Sequence, residues 1–368
     1  CVMTLAITGW SVLTSAGIGR EPFARALHSG AAASPPPPVA DLYPDPLPSA
    51  NGHALRGVNA RDLLGRKGTG SLDRRTTLAL VACRDALADA GVTVTDGTRH
   101  RVGVALGTTW GSFQAMSDYT KDTFVQERPY FVEPARFPNT VMNCAAGQAA
   151  IWFGLRGVNA TVAGGPIAFL NTLEYAANVL RCGYADTILA GGVEEFTPHA
   201  AWATYLMRDA VPDQAAGEAA AVFVVERADD AAAANRNIVG QVLAVATRFA
   251  PGGVAGGAAV TALERCVRLV LDRAQLQPTD VSVVATIGAA NDDRGRVEGD
   301  AVARVLGESR PMRIVPKAFF GDCHAALGAL QLAAIFTRPP AADAASGRYA
   351  LLTACTGEGA VGAAVVQA

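Results

Sequence analysis

No apolar run in this chain approaches the roughly 20 residues needed to cross a bilayer, and no basic-then-apolar segment opens it. Neither a membrane span nor a secretory leader is expected. The seven cysteines include no Cys-x-x-Cys pair and no Cys/His spacing of the zinc-binding type, which argues against metal and dithiol redox motifs. A reduced, cytoplasmic protein without bound metal is the expectation. Lysine is scarce: Lys67, Lys121 and Lys317 are the only three, and arginine carries the remaining positive charge. A formal net charge of −2 gives no global pull toward nucleic acid.

The chain has 368 residues, half of them apolar, enough for a large core in one compact two-halved unit or in two domains. Leu5–Thr14 reads as a buried strand. The tract Ser34-Pro-Pro-Pro-Pro38 and the segment Pro44-Asp-Pro-Leu-Pro48 read as a surface excursion, because closely spaced prolines interrupt helix and sheet alike. An amphipathic helix follows over Arg75–Gly91, then an apolar strand over 101–107. Alanine-rich helices are expected over 140–156 and 167–183, and strands over 187–192 and 219–226.

A second half repeats the pattern. It runs strand 238–247, helix 261–276, strand 281–288, helices 297–307 and 323–336, and strands 349–355 and 361–366. Strands alternating with helices of this length predict parallel sheets covered by helices. The repeat places the halves at 1–228 and 229–368.

Several segments occur in a telling order. Phe137-Pro-Asn-Thr-Val-Met-Asn-Cys-Ala-Ala-Gly147 precedes Gly154-Leu-Arg-Gly157. An apolar helix, Gly183-Tyr-Ala-Asp186 and Thr187-Ile-Leu-Ala-Gly-Gly-Val-Glu194 follow. This order resembles the core of β-ketoacyl synthases, the condensing enzymes of fatty-acid and polyketide synthesis. The resemblance runs from Leu5 to about Val366. It implies a thiolase-like α/β fold, with duplicated halves in a five-layer α-β-α-β-α sandwich. It also implies three reactive groups: a cysteine thiolate at a helix N-terminus, where the dipole lowers its pKa, and two imidazoles that assist decarboxylation.

None of the three is found. Family spacing counted back from Gly183 puts the nucleophile at Pro166, within Gly164-Gly-Pro-Ile167, and no neighbouring register supplies a nucleophile. Proline suits the first turn of the helix that follows. The first histidine position falls on Ile287 or Gly288, at the end of an apolar strand. The second follows the intact Lys317-Ala-Phe-Phe-Gly321 and is Asp322, which is ionised at neutral pH and would repel an enolate. His324, two residues on, is expected about 200° around a helix from it. Glu298 and Lys317 match family residues that brace the active-site loops and are expected to form a structural ion pair. Glu358, in Cys355-Thr-Gly-Glu-Gly359, stands where the family has an aromatic gate. The stretch between Glu194 and Gly217 is short, leaving only Met207-Arg-Asp-Ala-Val-Pro-Asp213 where active members carry a loop that shapes the site.

A ketosynthase frame without its reactive set resembles the chain-length factor of bacterial type II polyketide synthases. That resemblance implies a heterodimer with a catalytic ketosynthase and a shared tunnel at the interface. The substrate is an acyl chain on a phosphopantetheinyl acyl carrier protein, delivered to the partner subunit, and no cofactor is implied. It implies an interface strand at Asn159, Thr161, Val162 and Ala163, and an acyl-tunnel helix carrying Phe113, Met116 and Tyr119. For Phe113 and Tyr119 an ordinary place in the core is the competing expectation. Aromatic-system chain-length factors often carry a glutamine at the cysteine position; none occurs here between Ile151 and Leu170, which leans toward reduced or polyene products. Two alternatives stay open: an independent thiolase or acyltransferase using Cys355, and a pseudo-enzyme that binds acyl groups or carrier protein.

Overall fold

A computed structural model describes residues 3–29, 36–207, 215–289, 292–338 and 349–368. Its first half contributes strands β1 (Leu5–Thr14), β2 (Val102–Thr108), β3 (Asn159–Ala163), β4 (Thr187–Glu194) and β5 (Ala219–Arg227). The second contributes β6 (Gly240–Phe249), β7 (Val281–Ala285), β8 (Met312–Ile314), β9 (Tyr349–Cys355) and β10 (Ala360–Gln367). In space the order is β3-β2-β4-β5-β1, then β6-β10-β9-β7-β8. In the first half β2 pairs parallel with β3 and β4, and β5 runs antiparallel to β4 and β1. In the second, β7 pairs parallel with β8 and β9, and β10 runs antiparallel to β9 and β6. One topology is thus used twice. The halves meet where Leu5, Ala6 and Ile7 of β1 pair with Val242, Gln241 and Gly240 of β6.

The helices fill the spaces that this arrangement leaves. α1 (Arg74–Asp89) starts where the Asp73 side chain accepts the Thr76 N–H at 2.7 Å, an ordinary N-cap. It packs on the outer face of the first half together with α3 (Cys144–Phe153). α6 (Ala258–Ala274) and α7 (Asp293–Leu306) cover the outer face of the second half. Between the sheets lie α4 (Ala168–Arg181) and α8 (Leu327–Phe336). A helix that touches sheet on both sides must be apolar nearly all round. In α8 every residue from Leu327 to Ile335 is buried. Its one polar member, Gln331, donates to the carbonyls of Ala285 (2.9 Å) and Thr353 (2.8 Å), which offsets its burial. Outer helices, sheet, central helices, sheet and outer helices make five layers, as the sequence led us to expect.

Element ends move by a few residues from the sequence reading. The helix expected over 140–156 is shorter and is preceded by a 3-10 stretch over Pro134–Thr140. The helix expected from 323 begins at 327, after a 3-10 turn over His324–Ala326. The proline-rich excursion is docked rather than free: Val39 and Ala54 join Phe196, Ala201 and Ala216 in a small satellite core. Residues 30–35 of that excursion, and 208–214 after Met207, lie outside the described residues. Among the described residues no helix is long and apolar enough to cross a membrane.

Candidate functional site

The expected elbow is built as backbone only. β3 ends at Ala163, Gly165 takes φ +58°, which glycine tolerates freely, and Pro166 sits in a one-turn 3-10 helix leading into α4. The elbow packs against residues 324–326 and against β9. The Gly-Gly-x-Glu strand explains this closeness. A Cβ on Gly192 would stand 2.6 Å from the Ala325 carbonyl oxygen, so the strand admits that segment only as glycine. Two residues on, Glu194 accepts the Thr108 hydroxyl (2.7 Å) and the Thr109 N–H (2.8 Å). Thr109 Oγ1 in turn accepts the Ala325 N–H at 3.2 Å. The motif is a clamp that holds the turn after β2 and the segment after Asp322 in register.

The two positions where the resemblance expects histidine hold Ile287 and Asp322. Ile287 is fully buried in the central core, where no side-chain polar group could be carried without a partner. Asp322, also fully buried, belongs to an ion cluster with Arg294 (2.8 Å), Lys317 (3.6 Å) and His324 (3.7 Å). Lys317 reaches Asp292 more closely, at 2.9 Å. Burial by itself would raise the Asp322 carboxyl; His324, Arg294 and Lys317 outweigh it and hold the group well below the usual carboxylate range.

Two expectations are corrected here. Glu298 and Lys317 do not form an ion pair. Glu298 accepts the N–H groups of Ile287 (3.2 Å) and Gly288 (2.7 Å) and the Thr353 hydroxyl (2.7 Å), while Lys317 turns to Asp292 and Asp322. The reason is local: with Ile287 and Gly288 supplying backbone donors, Glu298 braces the loop without a cation, and burial pushes its carboxyl up to about 8. Nor does His324 point away from Asp322. Its φ of +42° and the 3-10 turn replace the expected helix and return the ring to the Asp322 side.

Cys355 is fully buried at the end of β9, with its Sγ 3.5 Å from the Arg294 carbonyl oxygen. Burial, then the charge of Glu298, pushes its thiol up, so the thiolate needed for attack is disfavoured.

An open groove lies on the other side of Trp110. α2 (Phe113–Val125) and α5 (Pro198–Leu206) flank a space of about 560 Å³ lined by Trp110, Phe113, Pro198, Trp202, Ala203 and Leu206 among others. A ladder of rings connects it to the ion cluster at Asp322: His324 meets Trp110 edge-on (5.7 Å), Trp110 stacks on Phe113 (5.9 Å), and Phe113 meets His199 edge-on (4.9 Å). His199 Nε2 and Ser117 Oγ form a hydrogen bond of 2.9 Å at the groove wall.

Of the three residues expected on the tunnel helix, Phe113 lines this groove. Met116 is exposed, and Tyr119 packs against Phe137 (5.9 Å) outside it. None of the three is a core residue, because α2 buries no residue of its own in this chain. Trp110, His199 and Trp202 were not singled out from the sequence. Tryptophan scarcity could have found two of them: the chain has four tryptophans, and two line one groove.

The expected interface strand β3 is the outer edge of the first half, bonded on one side to β2. Asn159 and Ala163 are exposed, and Thr161 and Val162 are half-buried. Beside it, Ile151 of α3, Met142 and Val141 leave large apolar side chains in the open.

Glu195, next to the clamp, is buried and accepts the Gln114 N–H at 3.2 Å. Burial first, then Asp73, pushes its carboxyl up to about 8. A raised carboxyl pKa means the folded state keeps a proton that the unfolded chain releases near pH 4.5. Its stabilising contribution is therefore full at acid pH and is lost as pH rises through about 8. Glu195→Gln keeps an acceptor for Gln114 and removes the ionisation. The fall in melting temperature between pH 5.5 and 8.5 should be smaller in this variant than in the parent; equal slopes would show that Glu195 carries none of it.

Comparison with known proteins places this geometry. The β-ketoacyl synthase N-terminal domain matches residues 3–231 and the C-terminal domain residues 239–338. A solved structure described as the ishigamide ketosynthase/chain length factor is 35% identical, covers 99% of both chains and superposes with a TM-score of 0.84. A putative polyketide β-ketoacyl synthase 1 from Streptomyces virginiae is 26% identical over 360 residues, 90% of this chain and 84% of its own. The 3-oxoacyl-[acyl-carrier-protein] synthase 2 of Staphylococcus aureus (strain N315) is 26% identical over 280 residues. That match takes in 69% of this chain and 66% of the relative's length, so the chain spans just under two thirds of it.

Proposed function

From a chain that belongs to the β-ketoacyl synthase family but carries no thiol at its elbow, we propose a non-catalytic role: the chain-length-determining partner of a ketosynthase in type II polyketide synthesis. The observation that carries the reading is the refilling of all three reactive positions. Pro166 cannot attack a thioester, Ile287 can neither accept nor donate a proton, and Asp322 is an ionised carboxylate neutralised by its own neighbours.

A partner then supplies the chemistry. The apolar edge β3 is the place for it, since a strand paired on one side only, with half-buried Thr161 and Val162, is a ready template for a second sheet. The acyl chain arrives on a phosphopantetheinyl carrier protein at the partner's cysteine and grows into the ring-lined groove beside Phe113. No cofactor enters this scheme. Flat aromatic walls suit reduced or polyene chains, in keeping with the missing glutamine. The likeness to the ishigamide ketosynthase/chain length factor supports the pairing.

The test is reconstitution with a catalytic ketosynthase and carrier protein. Phe113→Ala should lengthen the products while the subunit stays folded, and Cys355→Ala should change neither product length nor yield. Stable transfer of a radiolabelled acyl group onto this subunit, abolished by Cys355→Ala, would replace the proposal with the thiolase-like alternative.

A further inference from the structure

We infer that Gln114 and Asp118 form the inner stop of the acyl groove, and that they act by polarity rather than by bulk. The inference rests on the reading of that groove as the acyl site. Helix α2 walls two cavities at once. One is the ring-lined groove of about 560 Å³; behind the helix lies a second space of about 570 Å³ with Asp73, Asn139 and Glu195 in its lining. Gln114 and Asp118 are the two residues that line both. They stand four apart, one turn of helix, and Gln114 Nε2 donates to Asp118 Oδ1 at 2.9 Å. The pair is therefore a thin partition between an apolar compartment and a polar one.

The partition differs from the aromatic and aliphatic wall of the groove, whose other polar lining is Asp45, Ser117, Lys121 and His199. Gln114 Oε1 is buried without a hydrogen-bond partner, and the buried Glu195 carboxyl receives the Gln114 N–H from behind. An apolar chain end sliding along Phe113 gains by shedding water until it reaches this pair. To go further it must strip solvent from the Asp118 carboxylate and pack against an amide oxygen to which it offers no donor. That penalty outweighs the gain from burying another two-carbon unit. Elongation stalls there although empty volume continues on the other side. A steric stop would need the side chains to fill the space; this one needs only that they stay polar.

Substitution that removes the polarity without removing bulk separates the two. Gln114→Leu, alone and combined with Asp118→Leu, removes the polarity without opening a hole. In the synthase reconstituted with its ketosynthase and carrier protein, mass spectrometry should show a major product longer by at least one two-carbon unit for the double variant. The single variant should give a mixture of parent and longer products. Co-elution with the ketosynthase reports folding, and if the double variant does not assemble, the single variant decides. Unchanged or shorter products beside a lengthening by Phe113→Ala would overturn the polar stop and leave the groove assignment intact. No change from Phe113→Ala either would remove the groove assignment, and this inference with it.

Discussion

Val162→Asp should abolish co-elution of this subunit with its ketosynthase while leaving its own fold in place. Val162 lies mid-way along β3, half-buried in the isolated chain and hydrogen-bonded to β2 alone. A partner strand added there would continue the sheet across the interface and bury the side chain against its neighbours, in an obligate contact of several thousand Å² as an order of magnitude. An aspartate there is offered no cation by the strand Asn159–Ala163 itself. Desolvating it costs about 3 kcal/mol or more, roughly a hundredfold in affinity. In the free subunit the same aspartate remains partly in water, so circular dichroism of the variant should match the parent. A complex that survives size-exclusion chromatography undiminished would move the interface elsewhere. Val162→Thr, of similar shape and uncharged, should retain the complex.

Asp322→Ala should destabilise the subunit by about 3–5 kcal/mol, because it breaks a buried charge cluster from one side. Asp292 and Asp322 balance Arg294 and Lys317. Without Asp322, Arg294 and Lys317 share one carboxylate, and Lys317 in particular has little access to water. Asp322→His, which restores the residue type of active condensing enzymes, should cost a similar amount, since an imidazole cannot neutralise Arg294. Denaturant unfolding of both variants beside the parent measures this. A histidine variant as stable as the parent would mean that the cluster tolerates the loss of its second carboxylate. The expected result has a chemical corollary: Pro166→Cys and Ile287→His cannot rebuild a working site while the second imidazole position is occupied by a structural anion.

The fold was legible because its signals are local and repeated. The long apolar strands, the amphipathic outer helices and the nearly all-apolar α8 each announce themselves within a short window, whereas the three-residue β8 does not. The clamp at Gly191–Glu194 was also visible as a motif, although its partners Thr109 and Ala325 emerge only from packing. What the sequence concealed depends on approach between distant segments. Arg294 carries no local sign of its role, because the Asp322 it neutralises is 28 positions away. Lys317 was assigned to Glu298 by family analogy, whereas the backbone donors of Ile287 and Gly288 had already satisfied that carboxylate. His324 was misplaced because one left-handed residue undoes any count of degrees per residue. The groove is assembled from residues near 110 and near 200, so no local pattern marks it.

The doubled topology also bears on how an assembly stops growing. Two copies of one sheet give the chain two equivalent outer strands, β3 and β8. A molecule able to pair at both would add subunits without limit, as filaments do when a contact does not close on itself. The two edges are not alike. β3 offers five residues with a β-branched, uncharged centre, whereas β8 has only three, with Met312 and Arg313 exposed. A strand this short with an arginine at its middle has too few backbone groups to hold a neighbour and presents a charge to any that approaches. If β3 takes the partner strand as proposed, the second half offers no equivalent edge at which a further subunit could add.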